Sequence, residues 1–287
     1  MFGSVDDVQT QFRDAKYIAS RRISTVVYLS ERMGRPVLIE GPAGVGKTEL
    51  AKTLSDVTNR RLIRMQCYEG LDEGKALYEW KYAKQLLYTQ LLRDRIGSLI
   101  SETSSLPDAV AKIAGQEDAF FSFRFLSPRP LLSAILADDP VVLLIDEIDK
   151  AEQEFEAFLL EVLSDFQVSV PELGTLKAQH IPLVVLTSNN ARELSDGLKR
   201  RCLHLFIDFP LPADELEIIR MKVPEIPAQL ARAVVDAVQK IRGLDLRKPP
   251  SVSESLDWAR SLVILNAKEL DPALVESTLT IDRKSVV

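Results

Sequence analysis

At 287 residues the chain is long enough for one large domain or for a larger and a smaller one, since single cores stop growing near about 250 to 300 residues. With 46% hydrophobic and 27% charged residues, it lies away from the disordered and collagen-like classes. A formal net charge of −6, with acids and bases interspersed, leaves no electrostatic footprint for a nucleic-acid backbone, so no nucleic-acid partner is expected.

No apolar run approaches the roughly 18 to 20 residues that cross a bilayer, and the start, Met1-Phe-Gly-Ser-Val-Asp-Asp7, is acidic rather than signal-like. A cytoplasmic protein without stable membrane insertion is expected. Cys67 and Cys202 lie far apart with no CxxC and no histidine cluster, which argues for structural thiols rather than a disulfide framework or a zinc site.

From Ala19 to Met33 the apolar residues Ile23, Val26 and Val27 recur with helical spacing, and Gly34 supplies a stop. A first strand is expected over Pro36 to Glu40. After the glycine-rich stretch 41–48 comes a helix to about Val57, then a weakly alternating strand, Arg61-Leu-Ile-Arg-Met-Gln66. Residues 67–138 are mixed, and Gly74 to Arg95, rich in Leu, Tyr, Lys and Gln, reads as helical. Pro140-Val-Val-Leu-Leu-Ile-Asp146 is a continuous apolar run of the kind covered on both faces. Phe155, Phe158, Leu159, Val162, Leu163 and Phe166 then form the apolar stripe of an amphipathic helix.

Residues 167–171 and 175–179 flank Glu172-Leu173-Gly174 as a hairpin with its turn at the glycine. Ile181 to Thr187 and Cys202 to Phe209 are further strands. Strands alternating with helices predict an α/β fold, a parallel sheet wound on both faces. Phe209-Pro-Leu-Pro212 breaks the pattern, and Asp214 with Glu217 reads as a capping pair for the next helix. Beyond it only helical periodicities remain, near 214–222, 227–242, 252–266 and 272–279, which predict a small helical domain. The expected boundaries are 1–210 for the α/β domain and 211–287 for the helical one.

Gly41-Pro42-Ala43-Gly44-Val45-Gly46-Lys47-Thr48 matches GxxxxGK[ST] in the strand-to-helix context that motif requires, with Glu49 following. Glycines let backbone N–H groups converge on phosphate oxygens at a helix N-terminus. Lys47 would reach the β- and γ-phosphates, and Thr48 would hold Mg²⁺. Such a cradle serves a kinase, a GTPase or a motor equally. The strand 141–145 ends in Asp146 and Glu147, carboxylates that are costly there without a metal or partner. Asp146 is placed to hold Mg²⁺ through water, and Glu147 to act as general base on the attacking water. Four hydrophobes before Asp-Glu, with no NKxD signature, favour ATP over GTP.

On these motifs the chain resembles the AAA+ ATPases, specifically their MoxR branch. That resemblance implies a P-loop NTPase sheet followed by an all-helical lid, with an insertion within 67–138 and a pre-sensor hairpin near 167–180. Thr187-Ser188-Asn189 looks like sensor 1, whose Asn189 would orient the lytic water beside Glu147. Leu198-Lys199-Arg200-Arg201-Cys202 stands where the family's arginine finger lies, so Arg201, or else Arg200, would reach the γ-phosphate of a neighbouring subunit. A ring, hexameric in the family, follows. The lid's sensor 2 arginine is missing from its usual helix start, where Lys248 or Arg247 is the substitute. Tyr17 and Ile18 are candidates for contact with the adenine, with Arg22 beside them. His180 and His204 read as structural.

Runs such as Met65-Gln-Cys-Tyr-Glu-Gly-Leu-Asp72, Tyr78-Glu-Trp80 and Leu256-Asp-Trp-Ala259 make the resemblance closest to CoxD-like proteins, encoded with molybdenum hydroxylases of the carbon monoxide dehydrogenase type. The resemblance implies an ATP- and Mg²⁺-dependent chaperone that matures the metal centre of such an apoprotein, with a partner carrying a von Willebrand factor A domain. Alternatives are a MoxR-type activator of another metalloenzyme, a nucleic-acid-stimulated motor, and a nucleotide-dependent scaffold. The hairpin would line a ring pore, face a client or cap the sheet.

Overall fold

Five apolar runs of the sequence pair as one parallel sheet. In this computed structural model, which describes residues 1–91, 93, 105, 108, 122–171, 173–244, 246 and 248–278, they are β1 Val37–Glu40, β2 Arg61–Gln66, β5 Val141–Asp146, β8 Leu183–Ser188 and β9 Leu203–Phe206. Their order is β2-β5-β8-β1-β9, and every neighbouring pair is parallel. The expected strand from Ile181 starts two residues later, at Leu183, and leaves Ile181 exposed.

Alternate residues of these strands feed separate cores, which is why their sequences are apolar throughout. Leu38, Leu143, Ile145, Val184 and Leu186 join Phe155, Leu159, Val162 and Leu163 of the helix Gln153–Asp165. Val37, Ile39, Val142, Leu144, Val185 and Leu205 join residues of the helices Val5–Asp14, Arg21–Met33 and Lys47–Thr58. Burial of each such Val, Leu, Ile or Phe contributes about 1.5–3 kcal/mol. Cys67 and Cys202 are free and buried in the first of these clusters, and burial pushes both thiols up to about 12, so neither is a ready nucleophile.

The helix Val5–Asp14 was not expected from the acidic start. Ser4 caps it by accepting from the Asp7 N–H, and its buried face is Val8 and Phe12. Phe12 meets Tyr17 edge to face, centroids 5.7 Å apart, and so fixes Tyr17 against the sheet's ligand end.

The helical reading of 74–95 is corrected. A short helix, Glu73–Leu77, gives way to β3 Tyr78–Trp80, which pairs antiparallel with β4 Leu126–Pro128 before the helix Tyr82–Leu91 begins. Two aromatics in a run of three favour a pleated surface, and β4 supplies the partner from a distant part of the chain. The middle of the 67–138 stretch and Arg247 lie outside the described residues. The expected hairpin forms from β6 Gln167–Val170 and β7 Gly174–Lys177, with Gly174 at φ 75°.

Beyond β9 the chain is helical: Pro212–Lys222, Ala228–Arg242, Val252–Ile264 and Pro272–Thr278, around a third apolar cluster that includes Ile219, Leu230, Val234 and Trp258. The proposed Asp214–Glu217 cap does not form. Pro212 opens its helix with Leu211 as an N-cap that makes no side-chain bond, and Glu217 instead pairs with Arg13 at 2.5 Å. Pro at the first helical position has no N–H, so the helix start has one orphan donor fewer to satisfy.

Within that cluster Glu215 is fully buried and accepts both arms of Arg242 at 2.7 Å, Ser255 at 2.8 Å and Gln239 at 2.8 Å. Removing the carboxylate would strand a buried guanidinium, which typically costs about 3–5 kcal/mol. Glu215→Ala is therefore expected to lower the denaturant midpoint of the unfolding phase carrying Trp258 fluorescence, and Glu215→Gln to lower it less. An unchanged midpoint in both would show the pair to be energetically idle.

Candidate functional site

The carboxyl ends of β1, β5 and β8 gather the sequence-predicted residues at one end of the sheet, where parallel α/β folds place ligands. β1 stops at Glu40, and residues 41–46 curl into the helix Lys47–Thr58, whose N-cap Gly46 has φ 99°. Two of the glycines are demanded by what surrounds the loop. A Cβ on Gly41 would lie 1.9 Å from the Ile207 carbonyl oxygen, and one on Gly44 2.5 Å from Ser251 Cβ. Between them, Pro42 and Ala43 form the bend. The Ser253 N–H donates to the Gly44 carbonyl at 3.3 Å, so the helix Val252–Ile264 begins directly on the loop.

Lys47 is buried and donates to the Gly41 and Pro42 carbonyls at 2.7 and 2.6 Å. Burial pushes its ammonium pKa down from its ordinary value, while the Asp149, Asp146 and Glu147 carboxylates pull it back up. A cation folded into its own loop, with one of its three donor hydrogens uncommitted, is the arrangement a phosphate would engage.

Thr48 donates to Asp146 Oδ1 at 3.1 Å, Thr187 donates to the same oxygen at 2.5 Å, and Arg64 grips Oδ2 through Nη2 at 2.6 Å and Nε at 3.0 Å. Asp146 therefore sits buried with every contact accounted for. Glu147 follows in the left-handed region at φ 57°, where a non-glycine residue is strained by about 1–3 kcal/mol. Its N–H donates to Thr187 Oγ1 at 2.9 Å, which helps hold it there. The turn aims its carboxylate at Asn189 Nδ2, 3.3 Å away, while Gln66 Nε2 at 2.8 Å and Lys150 Nζ at 2.5 Å hold the other oxygen. The Glu147 carboxylate raises the Lys150 pKa above the ordinary lysine value. Asp149 is buried and accepts from the Asn189 and Ala191 N–H groups at 3.1 and 2.9 Å, so the exit of β8 is pinned to the acids' own turn.

Thr48 and Asp146, already joined by a hydrogen bond, are chemically suited to Mg²⁺, and Arg64 shows that the Asp146 carboxylate accepts a cation. No cluster of three His, Cys, Asp or Glu side chains of metal-holding form occurs among the described residues.

Beside the loop lies a cavity of about 690 Å³ whose lining includes Tyr17, Ile18, Arg22, Gly44, Val45, Gly46 and Glu49 from the sheet side, with Glu217, Lys222 and Arg260 opposite. Burial and then the Glu49 charge push the Tyr17 hydroxyl above its ordinary range, so it stays a neutral wall. Glu49 pairs with Lys222 at 3.0 Å, and Arg13 with Glu217, so two ion pairs cross the cavity's rim. Burial raises the Glu49 carboxyl, but Lys222 and Lys52 outweigh it and hold it below its ordinary value.

The structure leaves some candidates apart. Lys248 is exposed and does not line the cavity, whereas Arg260, two turns into the following helix, does. Arg200 and Arg201 are exposed at the end of the helix Asp196–Arg201, away from their own chain's loop. Their backbone is fixed: Arg35 donates to the Arg200 and Arg201 carbonyls at 2.7 and 3.2 Å. His204, read as structural, has Nε2 in hydrogen-bond reach of Glu40.

Arg64, Gln66, Asp149 and Arg260 went unread in the sequence. Arg64 and Gln66 share a face of β2 by strand alternation, and Gln66 stands opposite Asp146 in the register. The signal was present, but it becomes readable only when β2 is known to neighbour β5.

Comparisons with known proteins agree with this geometry. The chaperone protein ClpB of Nitratidesulfovibrio vulgaris is 22% identical over 71% of this chain and 21% of its own, and midasin of Dictyostelium discoideum 23% over 72% and 3%. This chain thus spans only a small part of those relatives' length. Among solved structures, the RuvB Holliday junction branch migration motor of Thermotoga maritima superposes over 97% of this chain and 71% of its own at TM-score 0.50 and 15% identity. A mutant of the same protein gives 0.52, covering 97% and 72% at 19% identity. The shared architecture is the P-loop NTPase fold of AAA+ proteins, and no described helix is long and apolar enough to cross a membrane. A family model for the AAA domain (dynein-related subfamily) matches residues 36–202, from the approach to β1 through the helix bearing Arg200 and Arg201, and the chain belongs to that family.

Proposed function

We propose that this protein is a Mg²⁺-dependent ATPase that works as a ring, of six subunits by resemblance, and remodels a protein client. The contact of Asn189 with Glu147, set beside the Lys47 loop and the Thr48–Asp146 pair, carries the reading. It supports a pairing of a polarising amide with a general base beside a phosphate cradle. Lys47 and the loop N–H groups bind the phosphates, Tyr17 and Ile18 face the base, and Thr48 and Asp146 hold the metal. Bound Mg²⁺ would supply charge neutralisation at the phosphoryl oxygens. Glu147 takes the proton of a water oriented by Asn189, and Arg201 completes a neighbour's site.

The finer assignment is to the MoxR branch, CoxD-like, acting with a von Willebrand factor A-domain partner to mature a molybdenum hydroxylase apoprotein. Its support is the quoted runs, together with a β6–β7 hairpin placed just before β8 and a chain excursion between β2 and β5. The residues 1–210 form the nucleotide-binding part in this reading and 211–287 the lid. A chaperone among the relatives, ClpB, is consistent with remodelling.

Purified protein is expected to turn over ATP in Mg²⁺ and to retain the hydroxylase apoprotein on affinity capture with ATP but not ADP. Absence of turnover would sink the ATPase reading. Turnover without nucleotide-dependent capture would sink only the client.

A further inference from the structure

Among the described residues, Arg64 is the guanidinium that reaches Asp146, and nothing in the ATPase reading uses it. It reaches along β2 to Asp146 Oδ2 with two nitrogens, Nη2 at 2.6 Å and Nε at 3.0 Å, while the same Nη2 donates to Gln66 Oε1 at 2.8 Å. The carboxylate it grips is almost fully buried, yet half of the arginine side chain remains solvent-exposed. The other carboxylate oxygen is taken by Thr48 and Thr187. Oδ2 otherwise has only a longer contact from Thr48, at 3.4 Å, so it is the oxygen a cation can reach, and Arg64 supplies that cation.

We propose that Arg64 is a tethered counter-cation for Asp146, competing with the divalent metal for the same carboxylate oxygen. The inference rests on the nucleotide reading above and concerns what Arg64 does to it. A buried carboxylate at the end of an apolar strand is costly when unpaired. Before metal arrives, Arg64 neutralises it and so spares incoming phosphates a repulsive neighbour. To let Asp146 face a hydrated metal, Arg64 must swing off Oδ2, and its half-exposed side chain has solvent to swing into. Because Nη2 also holds Gln66, whose amide holds Glu147, that departure frees Gln66 from one of its two anchors. Arg64 is a positioning residue in this account, since it acts through Asp146.

The two roles carry opposite signs, and this makes them separable from a structural one. ADP binding is measured by calorimetry in EDTA and across a Mg²⁺ titration, for the parent, Arg64→Gln and Arg64→Lys. In EDTA, Arg64→Gln is expected to bind ADP about tenfold more weakly, because Asp146 is left unneutralised near the phosphates. In the titration, its half-saturating Mg²⁺ concentration is expected to fall about three- to tenfold, because a charge-assisted competitor is gone. Arg64→Lys, which keeps the charge and loses the fork, is expected to lie between parent and Arg64→Gln on both axes. Thermal unfolding confirms that each variant is folded before it is titrated.

Equal weakening with and without Mg²⁺ would mean that Arg64 only props the strand, and would overturn the proposal. So would an unchanged Mg²⁺ midpoint. If the parent itself failed to bind ADP in either condition, matching a Lys47→Ala control, the nucleotide reading would fall and take this proposal with it.

Discussion

Glu147→Gln is expected to leave ATP bound and to slow its hydrolysis about a thousandfold, within the span typical for loss of a general base. The substitution keeps the side chain's length and shape, and the turn at φ 57° is held by the backbone bond from Glu147 N–H to Thr187, which the amide does not touch. The new oxygen can still accept from Asn189. What disappears is basicity, together with the bonds from Gln66 and Lys150, which would then meet an NH₂ group rather than an acceptor. Lys47, Thr48 and Asp146 keep their own contacts, so the affinity for Mg²⁺-ATP should change little. Stopped-turnover assays alongside equilibrium binding read the two quantities separately. Hydrolysis at the parent rate would remove Glu147 from the mechanism, and loss of binding in parallel would reassign it to the cradle.

The same site shows what a sequence can and cannot tell. The glycine loop, the acids after β5 and Asn189 after β8 were readable because each lies at the end of an apolar run, and a strand-to-helix turn restricts what such a position can be. The hairpin was readable because Gly174 marks its turn. Two partners of Asp146 were not: Arg64 and Thr187 reach it from the flanking strands, and only strand order brings them there. Glu215 and Arg242 were hidden for a related reason, since a charged residue on a helix reads as solvated until its facing helix is known. The helix Val5–Asp14 was legible in principle, through the Ser4 cap and the spacing of Val8 and Phe12, but Asp6 and Asp7 in its first turn masked its apolar face. In 74–95 a helix-like composition prevailed over two aromatics whose strand partner lies far along the chain.

Arg201→Ala is expected to cost about a thousandfold in turnover while leaving nucleotide affinity in its own subunit intact, in line with the loss of an arginine finger. In the proposed ring the effect crosses between chains. Arg35 fixes the backbone carbonyls of Arg200 and Arg201, and Lys199 is drawn to Glu193, but the two arginine side chains stay exposed, with no hydrogen-bond or ion-pair partner in their own fold among the described residues. An arginine held on a rigid backbone and kept free of neutralising carboxylates costs little to reorient when a neighbour's γ-phosphate is brought to it. A mixing experiment reads the direction of action. Subunits carrying Lys47→Ala keep the finger and lack the cradle, and those carrying Arg201→Ala keep the cradle and lack the finger. By random assortment about a quarter of the sites in an equal mixture would pair an intact cradle with an intact finger, provided that the arginine acts on a neighbouring subunit. Recovery of turnover on mixing, from two inactive preparations, is the expected result. No recovery would place the arginine's effect within its own subunit, and full activity of Arg201→Ala with loss in Arg200→Ala would transfer the role to Arg200.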